Sequence, residues 1–74
     1  MAQYRKKPVV IEAVQWFPGV KHDGVYCKDG GFYVVTIHDQ NAWLAPGDWI
    51  LPEPKEGHFY PCKPDIFAAT YEPA

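Results

Sequence analysis

The chain is poor in the residues that usually hold small secreted or metal-built proteins together. Its 74 residues include two cysteines, three histidines and one methionine. Small secreted scaffolds usually carry four or more cysteines, so Cys27 and Cys62 do not make a disulfide framework, and reduced thiols are expected. No apolar run approaches the roughly 18 residues of a membrane span, which excludes a helical integral membrane protein. Charge is sparse and nearly balanced, at 22 % charged residues and a net charge of −2. That is not the strongly basic composition usual in nucleic-acid-binding domains. The length leaves room for one domain, residues 1–74.

Aromatic residues are abundant instead. Three Trp, five Tyr and four Phe make up 16 % of the chain, which argues against disorder. A domain this short buries only roughly 60 % of its unfolded surface. Its core is therefore too thin to bury all of these rings. Trp16, Trp43, Trp49 and Tyr60 are the aromatics expected to be exposed and available to a partner, since Trp and Tyr combine a large contact area with a polar tip.

Period-2 alternation and turn chemistry organise the chain. Residues 9–16 read as the clearest strand, β-branched and alternating, with Pro8 at its start. Phe17-Pro18-Gly19 closes it. A short strand over 25–27 meets the hairpin signal Lys28-Asp29-Gly30-Gly31, followed by a strand over 32–37. His38 to Asn41 is a second turn, before a strand over 42–44. Ala45-Pro46-Gly47-Asp48 specifies a type II turn, with Pro second and Gly third. Strands over 49–51 and 58–60 flank a proline-rich loop, and Pro61 marks an edge or the end of pairing. Residues 64–71 suit one or two helical turns, with Pro64 at the first helical position. The expected fold is mainly β: a small twisted antiparallel sheet or partly open barrel of four to five short strands, with a short C-terminal helical turn.

Charge is unevenly placed. Residues 1–37 balance at +2 and residues 38–74 at −4. Much of the positive charge is Arg5, Lys6 and Lys7, which read as a solvated lead-in or, alternatively, as phosphate contacts. This opening does not read as a signal peptide. Residues 9–14 are too few for the apolar region and are broken by Glu12, and no small-residue cleavage site follows. A cytoplasmic location is expected.

Four blocks carry a resemblance. Tyr4-Arg5-Lys6-Lys7-Pro8-Val9-Val10-Ile11-Glu12-Ala13-Val14-Gln15-Trp16 resembles the opening of a family of small bacteriophage and prophage proteins of uncharacterised function. Pro46-Gly47-Asp48-Trp49-Ile50, Phe59-Tyr60-Pro61-Cys62-Lys63-Pro64-Asp65-Ile66-Phe67 and Thr70-Tyr71-Glu72-Pro73 resemble its close. Members usually have a longer stretch after the first strand, and the loop over 52–57 is longer here than usual. The resemblance implies a phage or prophage accessory protein of the host cytoplasm. It implies no activity, cofactor or catalytic residue.

Reactive constellations are weak. His22, Cys27, His38, His58 and Cys62 permit a His₂Cys₂ arrangement on paper, but Pro61 interrupts the second pair, and no metal site is expected. Cys62 with His58 or His38 lacks an oxyanion-loop pattern, so no enzyme is expected. Gly30-Gly31 lacks the lysine and spacing of a phosphate loop. No cofactor is expected. The expected function is protein interaction: binding of a host or phage protein, or of a second copy, through exposed aromatics and a sheet edge. The alternative is weak nucleic-acid binding through Arg5, Lys6 and Lys7 with neighbouring aromatics. A third reading is an oligomer that sequesters a small ligand.

Overall fold

Tight turns decide the path of the chain. Asp29 and Gly30 both take positive φ, 51° and 77°, the pairing of a type I′ turn that matches the twist of antiparallel strands. Gly47 has a φ of 93°, and the Asp48 N–H donates to the Ala45 carbonyl at 3.0 Å, completing the expected type II turn. Between such turns a computed structural model, which describes residues 2–3 and 10–72, places six short strands and one helix. They are β1 (Val14–Gln15), β2 (Val25–Lys28), β3 (Gly31–Val35), β4 (Asn41–Trp43), β5 (Trp49–Pro52), β6 (Phe59–Cys62) and α1 (Pro64–Thr70).

The strands form two open antiparallel sheets rather than one. One has the order β2-β3-β4 and the other β1-β5-β6. The type II turn is the reason: it carries the chain from β4 into the second sheet, where β5 pairs with β1 and β6. The strand count also exceeds the expected four to five by one, because β1 and β4 survive as very short strands.

The first strand is much shorter than its alternation predicts. Val9 lies outside the described residues, residues 10–13 have no regular pairing, and β1 holds only Val14 and Gln15. The Trp16 N–H donates to the Asp48 carbonyl at 2.7 Å, so hydrogen-bonding pairs recur at Trp16/Asp48 and Val14/Ile50. The next would join Glu12 to Pro52, and Pro52 has no N–H to give. Pro61 causes no such loss. It sits opposite Ile50, whose amide points to β1, so the edge strand β6 continues to Cys62.

The core lies between the sheets. Trp16, Val34 and Ile50 are buried at its centre, and Val25, Phe32, Leu44 and Phe59 pack around them. Burying each such aliphatic side chain contributes about 1.5–3 kcal/mol. Leu51 is also buried, but it alternates with Ile50 and so faces the other side of its sheet, where α1 lies. Among the described residues, no helix is long and apolar enough to cross a membrane.

Candidate functional site

Two aromatic surfaces flank this core, one on the outer face of each sheet. On the β1-β5-β6 sheet, Trp49 stacks on Phe67 of α1, with ring centroids 4.1 Å apart and planes 7° from parallel. Phe67 in turn stacks on Tyr71 at 5.0 Å. Tyr71 caps the end of α1, and its N–H donates to the Phe67 carbonyl at 2.9 Å, which holds the two residues side by side. Tyr60 of β6 faces the same side, where burial, then the neighbouring Tyr71 hydroxyl, push its hydroxyl up from 10.0 to about 12.

Between this aromatic wall and residues 10–15 lies a groove of about 770 Å³, with Trp49, Ile11, Ala13 and Phe67 among its lining residues. It is bordered by the free edge of β1. Residues 10–15 alternate between more and less exposed, as in a strand, with Ile11, Ala13 and Gln15 turned inward. Val10 is 81 % exposed. Among the described residues, no strand pairs with β1 on the side away from β5.

On the β2-β3-β4 sheet, three rings cross the outer face in a row. The register pairs Tyr26 with Tyr33 and Tyr33 with Trp43. Tyr26 and Tyr33 stack at 5.7 Å, and Tyr33 meets Trp43 edge-on at 5.2 Å. The Trp43 indole covers Gly31, where a Cβ would lie 2.8 Å from the ring. Tyr26 and Trp43 are 49 % and 52 % exposed.

The four aromatics singled out in the sequence therefore do not form one site. Trp43 is exposed as expected. Trp49 and Tyr60 are half-buried on the groove side of the other sheet. Trp16 is a correction: it is 2 % exposed and is a core residue. Its backbone is pinned by Asp48 and Gly47, and its indole packs against Phe32 at 5.2 Å. The buried Nε1 finds no hydrogen-bond partner among the described residues, at a cost of about 1–3 kcal/mol.

Arg5, Lys6 and Lys7 lie outside the described residues. Tyr26, Tyr33, Phe67 and Tyr71 are the aromatics of the two surfaces not singled out from the sequence. For Tyr26 and Tyr33 the signal is present, since a two-residue turn at 29–30 sets 28 against 31 and therefore 26 against 33.

The histidines and cysteines have separate surroundings. His22 accepts the Gly24 N–H through Nδ1 at 3.0 Å and packs edge-on against Phe59. His58 Nε2 lies 3.0 Å from Asp39 and Nδ1 lies 3.1 Å from the Glu56 carbonyl. The Cys62 thiol points to the Lys63 carbonyl at 3.7 Å, and burial pushes it up from its ordinary value. Both thiols are free, and the His58–Cys62 pairing weighed from sequence is not assembled. Among the described residues, no three His, Cys, Asp or Glu side chains converge on a metal position. Comparison with protein-family models, curated proteins and solved structures finds no match to this chain.

Proposed function

We propose that the protein is an interaction module that accepts an extended segment of a partner protein along β1. One observation carries the reading. Residues 10–15 keep the alternation of a strand, yet β5 pairs with only two of them and the opposite edge is open among the described residues. An open edge with strand alternation is a template for an added strand. Ladder hydrogen bonds would hold the guest backbone, and its inward side chains would enter the groove beside Trp49 and Phe67. The C-terminal half balances at −4, and Glu72 lies at the groove, so the guest segment is apolar and basic. The resemblance of the terminal blocks to phage and prophage proteins supports a host or phage protein as the partner and the host cytoplasm as the setting.

The backbone parity supplies the test. The Val14 amide points to β5, so the Ala13 amide points to the open edge. Ala13→Pro removes that donor and leaves the β5 ladder intact. Tagged wild-type protein is expected to retain a specific partner from infected-host lysate, and Ala13→Pro, with unchanged circular dichroism, is expected to lose it. Equal retention by the two proteins overturns the reading.

A further inference from the structure

We infer that the Tyr26–Tyr33–Trp43 row on the outer face of the β2-β3-β4 sheet is a second, separate site that stacks the bases of a short single-stranded nucleic acid. It lies across the core from the groove and is independent of strand addition at β1.

The geometry favours flat ligands. Three rings occupy adjacent strands at centroid spacings of 5.7 and 5.2 Å, so the row spans about 11 Å. That length suits two or three bases, which sheet-borne aromatics stack without reading sequence. It is far too short for a stable protein interface, which needs about 800 Å² on each partner. Trp43 is braced for the role: one side of its indole rests on Gly31 and Tyr33 meets it edge-on, yet half of the side chain stays exposed.

Charge placement points the same way. Lys28 lies two residues from Tyr26 on β2 and so turns to the same face, while Val35, Asn41 and Gly31 complete the outward positions of β3 and β4. No carboxylate is among them, the nearest in sequence being Asp29 in the turn. Of the six acidic residues of the C-terminal half, Asp48, Glu53, Glu56, Asp65 and Glu72 belong to the other sheet, its loops and the α1 end, and the sixth, Asp39, lies in the β3–β4 turn beyond the row, where it meets Lys55 and His58. A phosphate backbone is repelled from that side and meets a cation beside the rings on this one. With a single lysine in place, affinity is low and its salt dependence shallow.

The probe is an eight-nucleotide oligo(dT) at low salt, with tryptophan emission as the readout. Trp16 is buried and Trp49 stacked on Phe67, so Trp43 is the indole open to quenching. Quenching is expected with the single strand and not with a duplex of the same length. Trp43→Phe abolishes the signal but keeps binding in a competition assay. Tyr26→Ala weakens binding about tenfold, the loss expected for one stacking ring. Lys28→Gln weakens it and lowers the slope of log affinity against log salt by about 0.7. No quenching by folded protein, equal binding of duplex, or unchanged affinity in both Tyr26→Ala and Lys28→Gln overturns the inference. So does self-association through the same face, seen as a Tyr26-dependent change in sedimentation without oligonucleotide binding.

Discussion

A Cβ placed on Gly24 would lie 2.3 Å from Cδ2 and Cε2 of Phe59, closer than carbon atoms approach, so the Phe59 ring fills the space a side chain would need. The ring has little freedom to leave. It packs against the core and meets the His22 ring edge-on at 4.7 Å. Gly24→Ala is therefore expected to destabilise the fold by about 1–3 kcal/mol, the usual cost of overpacking, read as a lower urea midpoint with an unchanged slope. Phe59→Leu in the same chain should recover part of the loss. An unchanged midpoint for Gly24→Ala alone would mean that Phe59 moves aside freely. A glycine demanded by a ring 35 positions away leaves no local signal in the sequence. Asp48 is similar. The Pro46-Gly47 turn is legible from residue type, but the reason for the aspartate is not. Its buried carboxylate accepts the Ala45 N–H at 2.9 Å and meets Lys63 at 3.4 Å, and Lys63 is brought there only by the fold.

Among the elements, α1 depends most on its neighbours. Seven residues are too few for an isolated helix, and its N-cap Lys63 makes no side-chain capping bond. Pro64 starts it, as the sequence predicts, and the Phe67 ring on Trp49 holds it. Phe67→Ala is expected to cost about 2 kcal/mol, below the full core value because the ring is only half-buried. Tyr60 offers a local readout. Its hydroxyl is raised to about 12 by burial and by Tyr71, which follows α1 directly. If the helix docks through Phe67, the variant lowers that value toward 10.0 in a tyrosinate absorbance titration. A raised acid contributes stability that is complete below pH 10 and is lost as pH rises to about 12, so the variant should also flatten the alkaline limb of the stability curve. Retention of the high Tyr60 value would show that α1 docks without Phe67. The other elements divide by the range of their causes. β2, the type I′ turn and β3 were readable because residues within eight positions specify them. β1 was misjudged because its length is set by a proline in β5, a pairing that alternation alone does not reveal.

At the scale of the whole molecule, two small sheets must stay face to face over a thin core, and polar contacts fasten one end. The Ile37 N–H donates to the Glu53 carboxylate, joining the β3–β4 turn to the β5–β6 loop. Two residues on, Asp39 meets His58 at 3.0 Å and Lys55 at 3.9 Å. The His58 hydrogen bond, then the Lys55 charge, hold the Asp39 carboxyl below its ordinary 3.8. A lowered carboxyl contributes stability that is present above that ordinary value and is lost as pH falls through its value in the folded state. The clasp is therefore intact at neutral pH and weakens only in acid, below 3.8. Asp39 has a φ of 59°, which asparagine tolerates almost as well, so Asp39→Asn keeps the turn and removes only the charge. The variant should melt slightly below the wild type at pH 7, because the site is open to solvent and an exposed pair is worth little. The gap should close as pH drops below 3.8, where the wild type also loses the charge. Melting curves of both proteins between pH 2 and 7 check this. A gap that persists at pH 2 would place the contribution of Asp39 in turn geometry, leaving the Ile37–Glu53 bond and the apolar core to hold the two sheets together.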